Sequence, residues 1–242
     1  MALTKDQLAE LSIVAKNAAL AAGKIISAQQ GSSVEVMSKE GGENIASCVV
    51  TEIDLAAEKA ILEVLTPTLA PYDLGLLTEE STDDSSRFDH GYFWCIDPLD
   101  GTLCFSRDED GYSTSIALVA KDGTPIIGAV YNPRSNSLYH AIKGQGAFKN
   151  EKPLKVNSGA KKITLIYDKS YLKYSEYEKQ IEKLKDDLRE LGLKSLNIHH
   201  LGGAVMNGIS TIEMAPALYY KFPKKAEGGG SLWDFAASSV IQ

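Results

Sequence analysis

An apolar run that leads directly into a short acidic motif constrains the fold of this chain more than any other feature. Residues 92–96 are apolar and rich in aromatic side chains, which predicts a buried strand. Residues 97–102 then form the motif D-P-L-D-G-T. Pro98 is expected to keep the chain from simply continuing as strand or helix, so that the carboxylates of Asp97 and Asp100 converge on one point.

The end of the same motif is suited to an anion. Gly101 removes the side chain where a ligand would approach the backbone, and Thr102 offers a hydroxyl and an N–H group. Carboxylate oxygens beside bare N–H groups suit a divalent cation that carries a phosphate. The alternative is an ordinary Asp-rich turn after a strand, and the motif by itself leaves both interpretations open.

Composition limits the class of protein and of partner. The 242 residues suit one large domain or two small domains that share an interface. The net charge of −7 argues against a surface that binds a nucleic acid polymer, although bound metal ions would still allow a small anionic substrate. Three cysteines without C-x-x-C spacing predict reduced thiols in a cytoplasmic protein, and no apolar run is expected to reach membrane-spanning length.

The first quarter of the chain predicts two amphipathic helices separated by a strand. Thr4 opens a capping box, and the helical apolar stripe that follows ends near Gly31. A polar, Gly-containing segment leads to a short strand at 48–51 and to a second helix that Pro67 is expected to stop. Asp54 lies near the start of that helix, where it is either a site residue or a helix cap.

Two more acidic positions follow apolar or flexible segments. Glu79 and Glu80 come directly after an apolar strand, so one of them can point into a site while the other faces water. Asp234 follows a triple glycine and Trp233, and small alanines come after it, which allows close packing. Plain surface charge and an N-terminal helix cap are the respective alternatives.

The two halves of the chain differ in pattern. Three strand-like runs separated by turn residues predict an antiparallel meander at 114–120, 126–131 and 137–142. After residue 153, strands and helices alternate in the manner of an α/β structure. We therefore expect an N-terminal α+β domain, 1–153, and a smaller C-terminal α/β domain, 154–242.

Taken in order along the chain, these acidic positions resemble the signature of the inositol monophosphatase superfamily. The resemblance covers about residues 8–242 and rests on Asp54, Glu79-Glu80, the motif at 97–102, and Trp233-Asp234-x-Ala236-Ala237. Members are metal-dependent phosphomonoesterases inhibited by Li⁺. The resemblance implies a layered αβαβα sandwich of the sugar phosphatase type.

The resemblance also implies a role for each matched residue. It implies two or three Mg²⁺ ions, the first held by Glu79, Asp97 and the carbonyl of Leu99, and the second by Asp97, Asp100 and Asp234. Catalytic residues are expected at Asp54, Thr102 and Glu79, the first two acting on the attacking water. Phosphate or substrate contacts are expected from Gly101, Thr102, Gly202, Gly203 and Lys221.

The substrate is predicted from one departure within the superfamily. Lys221 stands where inositol monophosphatases carry a Glu that holds inositol hydroxyls, which is similar to the bacterial 3′(2′),5′-bisphosphate nucleotidases. A cation there, together with Lys169, fits a second phosphate better than a polyol. We therefore expect 3′-phosphoadenosine 5′-phosphate as substrate, with inositol 1-phosphate as the alternative. Gly203 departs from both patterns, because a hydroxyl residue is usual at that position.

The expected partner is thus a small phosphorylated metabolite, with neither a nucleic acid polymer nor a membrane, and a homodimer is one assembly compatible with the pattern. The sequence ends at Gln242 within an apolar helical pattern. Either it is truncated or the second domain is shortened at its end. A non-catalytic member of the same fold is a further alternative. The carboxylates, which are present at all four acidic positions, disfavour it.

Overall fold

The computed structural model describes residues 2–30, 36–38, 49–156, 162–168, 171–172, 174–193, 195–200, 202–221 and 230–242. Over these ranges the chain forms six α-helices and three sheets of two, seven and three strands. Lys169, Gly228, Gly229 and most of the polar segment before the second helix lie outside the described residues.

Two long helices open the chain. Helix α1 spans Lys5–Ala28 and begins with the predicted capping box at Thr4. By length and composition α1 would be able to cross a membrane, contrary to expectation. In the structure, its apolar stripe is buried against the rest of the protein, as in the core helix of a globular protein.

The prediction that Pro67 stops the second helix is wrong, since α2 spans Glu52–Tyr72. The turn after Pro67 is held by the Thr68 hydroxyl, which donates to the carbonyl of Leu65 at 2.6 Å. The same hydroxyl accepts a hydrogen bond from the indole of the buried Trp94 at 2.9 Å. A hydrogen bond within the helix and a tertiary one to Trp94 thus fix the turn that follows the proline.

The main sheet has seven strands in sequence order, of which β3 and β4 are parallel and the others antiparallel. Its strands are β3 Leu74–Thr78, β4 Tyr92–Asp100, β5 Ser113–Ala120, β6 Pro125–Asn132, β7 Ser137–Ile142, β8 Ala147–Lys149 and β9 Lys152–Pro153. The predicted meander is confirmed as β5, β6 and β7. A separate antiparallel pair consists of β1 Val36–Ser38 and β2 Val49–Thr51.

The later part of the chain adds a parallel three-stranded sheet in the order β11-β10-β12. Its strands are β10 Lys162–Ile166, β11 Ser195–His199 and β12 Ala217–Tyr219. The remaining helices are α3 Thr102–Ser106, α4 Tyr177–Glu190, α5 Ala204–Glu213 and α6 Ala236–Ile241. The alternation of strands and helices predicted for this half is confirmed.

These elements stack in five layers. Trp94 and Ile96 of β4 face α1 and α2, whereas Phe93 and Cys95 face α5 and α6. Beyond α5 lies the three-stranded sheet, and Ile181 of α4 packs against its outer side. The αβαβα sandwich is confirmed. The division of the chain at residue 153 stays a prediction, and α5 and α6 share a hydrophobic cluster with the main sheet.

A bulge at the end of β4 places the acidic motif. Contrary to expectation, Pro98 does not interrupt the strand, which continues to Asp100. Asp97 pairs with Ser115, but Asp100 pairs with Ser113, so three steps on β4 match two on β5. On a regular strand, residues three apart face opposite sides of a sheet. The extra residue brings Asp97 and Asp100 to the same side, and the buried Leu99 joins the opposite core.

Candidate metal centre

Three carboxylates converge at the end of β4. Asp97, Asp100 and Asp234 each present one oxygen, and these atoms all lie within 4.8 Å of one another. The first two come from the bulged strand, and Asp234 comes from a short 3-10 turn, Leu232–Asp234, just before α6. Ser115 of β5 ties that turn to the sheet, because its hydroxyl donates to the carbonyl of Trp233 at 3.1 Å.

Asp100 joins β4 to the N-terminus of α5. Its Oδ1 accepts the N–H of Ala204 at 3.1 Å, and its Oδ2 accepts the N–H of Val205 at 2.9 Å. These donors belong to the first turn of a helix, whose orphan N–H groups and dipole favour an anion. They lower the pKa of Asp100, but burial and then the charge of Asp234 outweigh them and raise that pKa well above its usual range.

Asp97 lacks comparable donors. It is 1% exposed, and its Oδ1 has no hydrogen-bond partner among the described residues. Burial first, and then the charges of Glu79, Asp100 and Asp234, raise the pKa of Asp97 well above its usual range. A buried carboxylate without donors is costly unless a proton or a cation compensates its charge. The group of carboxylates therefore fits a divalent cation, and because all of the potential ligand atoms are oxygens, it fits Mg²⁺.

Asp234 is held by its own turn. Its carboxylate accepts the N–H of Ser231, and a side chain at Gly230 would collide with the ring of Phe235. Gly230 has φ +108°, a conformation that favours glycine. Burial raises the pKa of Asp234, while the Ser231 N–H and the charge of Lys221 lower it.

Glu79 lies beside this group rather than within it. Its backbone N–H donates to the carbonyl of Ile96 at 3.2 Å, and the charge of its carboxyl is one of those that raise the pKa of Asp97. Asp54 is buried in the first turn of α2, as the third residue of the helix rather than its cap. Thr102 begins α3, and its hydroxyl donates to the carbonyl of Leu99 at 3.0 Å.

Four glycine residues pack together beside Asp100. Gly101 has φ +83° and precedes α3, and the Gly203 N–H donates to the carbonyl of Gly111 at 2.7 Å. A Cβ at Gly203 would lie 2.1 Å from Oδ2 of Asp100. A Cβ at Gly202 would lie 1.9 Å from the Gly111 carbonyl. The absence of the usual hydroxyl residue at position 203 thus coincides with the close approach of Asp100.

Lys221 has an acidic partner. Its Nζ lies 3.3 Å from Oδ2 of Asp168, and the two side chains are about one-quarter exposed. Asp168 Oδ1 also accepts hydrogen bonds from the hydroxyl of Tyr219 at 2.9 Å and from the amide of Asn207 at 3.1 Å. We call these four residues the Asp168 network. Lys169, the second cation expected to contact a substrate phosphate, lies outside the described residues.

The structure thus gathers Glu79, Asp97, Asp100 and Asp234, and it adds two residues that the motifs did not single out for the site. One is Glu58, a buried acid within the apolar stripe of α2, four residues after Asp54. An acidic residue inside an apolar stripe was the signal for it. No comparable signal exists for Gly111, because only the tertiary structure brings it against Gly202 and Gly203. The individual roles of the expected site residues stay predictions.

Comparison with known proteins gives a consistent result. A model of the inositol monophosphatase family matches residues 7–242. An inositol-1-monophosphatase of Synechocystis sp. is 31% identical over 228 residues, which cover 94% of this chain and 74% of the relative. A relative from Pasteurella multocida named Nus factor SuhB is 30% identical over 200 residues, 79% of this chain and 67% of the relative. The solved structure of CysQ from Bacteroides thetaiotaomicron, a bacterial member of the family, has a TM-score of 0.72 and 25% identity, with coverage of 96% and 85%.

Proposed function

The chain belongs to the inositol monophosphatase family, and we propose that it uses Mg²⁺ to release phosphate from a small phosphorylated metabolite. Proteins of this family are phosphatases, so the chain is a phosphoric monoester hydrolase. The observation that carries the metal assignment is the convergence of Asp97, Asp100 and Asp234 within 4.8 Å. The buried Asp97 Oδ1, without a hydrogen-bond partner among the described residues, supports it further.

Each residue then has a stated task. Asp97, Asp100 and Asp234 would hold Mg²⁺, with Glu79 beside Asp97 and the Leu99 carbonyl as additional ligands. Bound Mg²⁺ supplies charge stabilisation and an activated water. The Thr102 hydroxyl and the Asp54 carboxylate would orient that water and accept its proton, and the N–H groups of Gly101 and Thr102 would receive the phosphate oxygens.

For the substrate, we favour 3′-phosphoadenosine 5′-phosphate. Lys221 supports this choice, because its Nζ lies 5.3 Å from the centre of the Phe235 ring, beside Asp234, and its charge lowers the pKa of Asp234. A cation in that place would contact a second phosphate on the substrate. The pairing with Asp168 weakens this argument, since an ion pair leaves less charge available to a ligand.

Inositol 1-phosphate is the second candidate, and the same ion pair supports it. The Asp168 carboxylate already accepts a hydrogen bond from the hydroxyl of Tyr219. A polyol would offer further hydroxyl groups to the Asp168 network. The Synechocystis relative carries the name inositol-1-monophosphatase, which is a second reason to keep this substrate in view.

A small substrate panel tests both parts of the proposal. Phosphate release from 3′-phosphoadenosine 5′-phosphate, inositol 1-phosphate and fructose 1,6-bisphosphate would be measured over a range of Mg²⁺ concentrations, with and without Li⁺. We expect Mg²⁺-dependent release, inhibition by Li⁺, and the highest kcat/KM for the nucleotide. A higher kcat/KM for inositol 1-phosphate would reverse the substrate assignment. Hydrolysis that persists unchanged in a chelator would contradict the metal dependence.

A further inference from the structure

Glu58 connects the second helix to the segment that carries Glu79. It is 4% exposed and belongs to the buried stripe of α2 that also includes Asp54 and Ile61. Buried carboxylates are rare unless donors or cations compensate their charge. The partners of Glu58 are therefore informative about its role.

Three donors reach the Glu58 carboxylate, and they flank Glu79 on both sides. Oε2 accepts hydrogen bonds from the hydroxyl of Thr78 and from the backbone N–H of Glu80, the latter at 3.1 Å. Oε1 accepts the hydroxyl of Ser81. A carboxylate is an acceptor with two oxygens and no donor, so it satisfies all three groups at once.

We propose that Glu58 is a positioning residue, which holds the end of β3 so that the carboxyl of Glu79 stays beside Asp97. Neighbouring side chains of an extended chain point to opposite sides, so a rotation of this segment about its axis would turn Glu79 away from Asp97 and bring Glu80 toward it. The hydrogen bonds to Thr78, Glu80 and Ser81 oppose that rotation. Glu58 itself touches neither substrate nor metal in this proposal, which rests on the proposed Mg²⁺ dependence.

The test compares Glu58→Gln with the parent and with Glu63→Gln, a matched change at an exposed position on the same helix. Glutamine keeps the shape but removes the charge and replaces one acceptor oxygen by an NH₂ donor, so the hydrogen bonds to Thr78 and Glu80 lose their charge assistance and the one to Ser81 has to reverse its direction. We expect a 10- to 100-fold increase in the Mg²⁺ concentration for half-maximal activity, the range typical of residues that support metal ligands. The kcat at saturating Mg²⁺ should stay within a few fold of the parent, and Glu63→Gln should match the parent.

A second measurement does not require turnover. Thermal unfolding of the full chain would be followed at increasing Mg²⁺ without substrate, since a ligand of the folded state raises the Tm by mass action. The stabilising Mg²⁺ range should shift upward for Glu58→Gln by a similar factor. A parent that hydrolyses none of the substrates would contradict the proposed function, yet this titration would still decide the role of Glu58. A parent that Mg²⁺ does not stabilise would overturn both.

A purely structural role has a different outcome. Glu58→Gln would then lower the Tm without Mg²⁺ but leave the Mg²⁺ dependence unchanged, and this result would overturn the proposal. If Glu58→Gln does not fold, Ser81→Ala removes one of the three donors while leaving the carboxylate in place. It should raise the half-saturating Mg²⁺ concentration a few fold, and an unchanged value would equally overturn the proposal.

Discussion

Two buried or partly buried acidic groups of this protein differ in how their charge is compensated. Asp97 has like-charged neighbours and an oxygen without a hydrogen-bond partner among the described residues. Asp168 has a lysine 3.3 Å away and accepts hydrogen bonds from Tyr219 and Asn207. In the protein alone, the described residues leave the charge of Asp97 uncompensated, whereas the neighbouring lysine, hydroxyl and amide groups compensate the charge of Asp168.

We expect this difference to separate a site that requires a cation from a group of residues that adjusts the choice of substrate. Mutual repulsion among buried carboxylates is relieved when a divalent cation binds, so the acidic centre favours metal at the expense of the metal-free fold. The Asp168 network gains nothing comparable from a metal. Changes in the acidic centre should therefore alter catalysis and metal binding together, and changes in the network should alter the choice of substrate.

The largest effect is expected from Asp97→Asn, which removes the charge shared by the expected metal sites. We expect kcat to fall at least about 1,000-fold at Mg²⁺ concentrations that saturate the parent, because the metal contributes several kcal/mol to the transition state. The same variant should lose the Mg²⁺-dependent increase in Tm. Near-parent turnover would contradict the assignment of Asp97 as a shared ligand.

Within the acidic centre, Thr102→Ala should separate water positioning from metal holding. If its hydroxyl orients the attacking water, kcat should fall about 100-fold while KM and the Mg²⁺ dependence of Tm change little. Thr102→Ser keeps the hydroxyl and is the matched control, expected to retain most of the activity. A change confined to KM would instead assign Thr102 to phosphate binding.

Changes in the Asp168 network should have a smaller effect, confined to specificity. Lys221→Glu should lower the ratio of kcat/KM for 3′-phosphoadenosine 5′-phosphate to that for inositol 1-phosphate by about tenfold, the low end for a charge-assisted contact. Asp168→Asn releases Lys221 from its partner and should raise the same ratio. Lys185→Glu, which alters an ion pair with Glu182 on α4, is the control. An unchanged ratio in both network variants would make Lys221 a residue without a role in specificity.

The smallest effect concerns stability and pH. Burial and neighbouring charges raise the pKa of Asp97 in the metal-free fold, whereas unfolded carboxyls titrate near a pKa of about 3.9. The folded state thus binds more protons above that pH, and its stability falls as pH rises toward the raised pKa. Between pH 5 and 8, the metal-free parent should lose about 3 °C more in Tm than Asp97→Asn, equivalent to about 1 kcal/mol. Identical pH profiles for the two proteins would contradict this account.

Much of the fold was predictable because its signals are local. The capping box at Thr4, the meander from β5 to β7 and the alternation of strands and helices after residue 153 depend on periodicity and turn residues. The layered sandwich was implied by the family resemblance that the ordered acidic motifs carry. The prediction for Pro67 failed because the turn after it is anchored by a hydrogen bond from Trp94 of the sheet to Thr68, which is a tertiary contact.

The sequence by itself determined which carboxylates are available and the order in which they occur, since these are properties of residue type and spacing. Only the tertiary structure decided how they are brought together. Asp97 and Asp100, three residues apart on a strand, meet because one extra residue in β4 reverses the side on which the second one lies. Glu58 and Glu80, and likewise Asp168 and Lys221, meet because separate elements pack together. Spacing along the chain contains no information on such contacts, because packing and sheet register are properties of the whole fold.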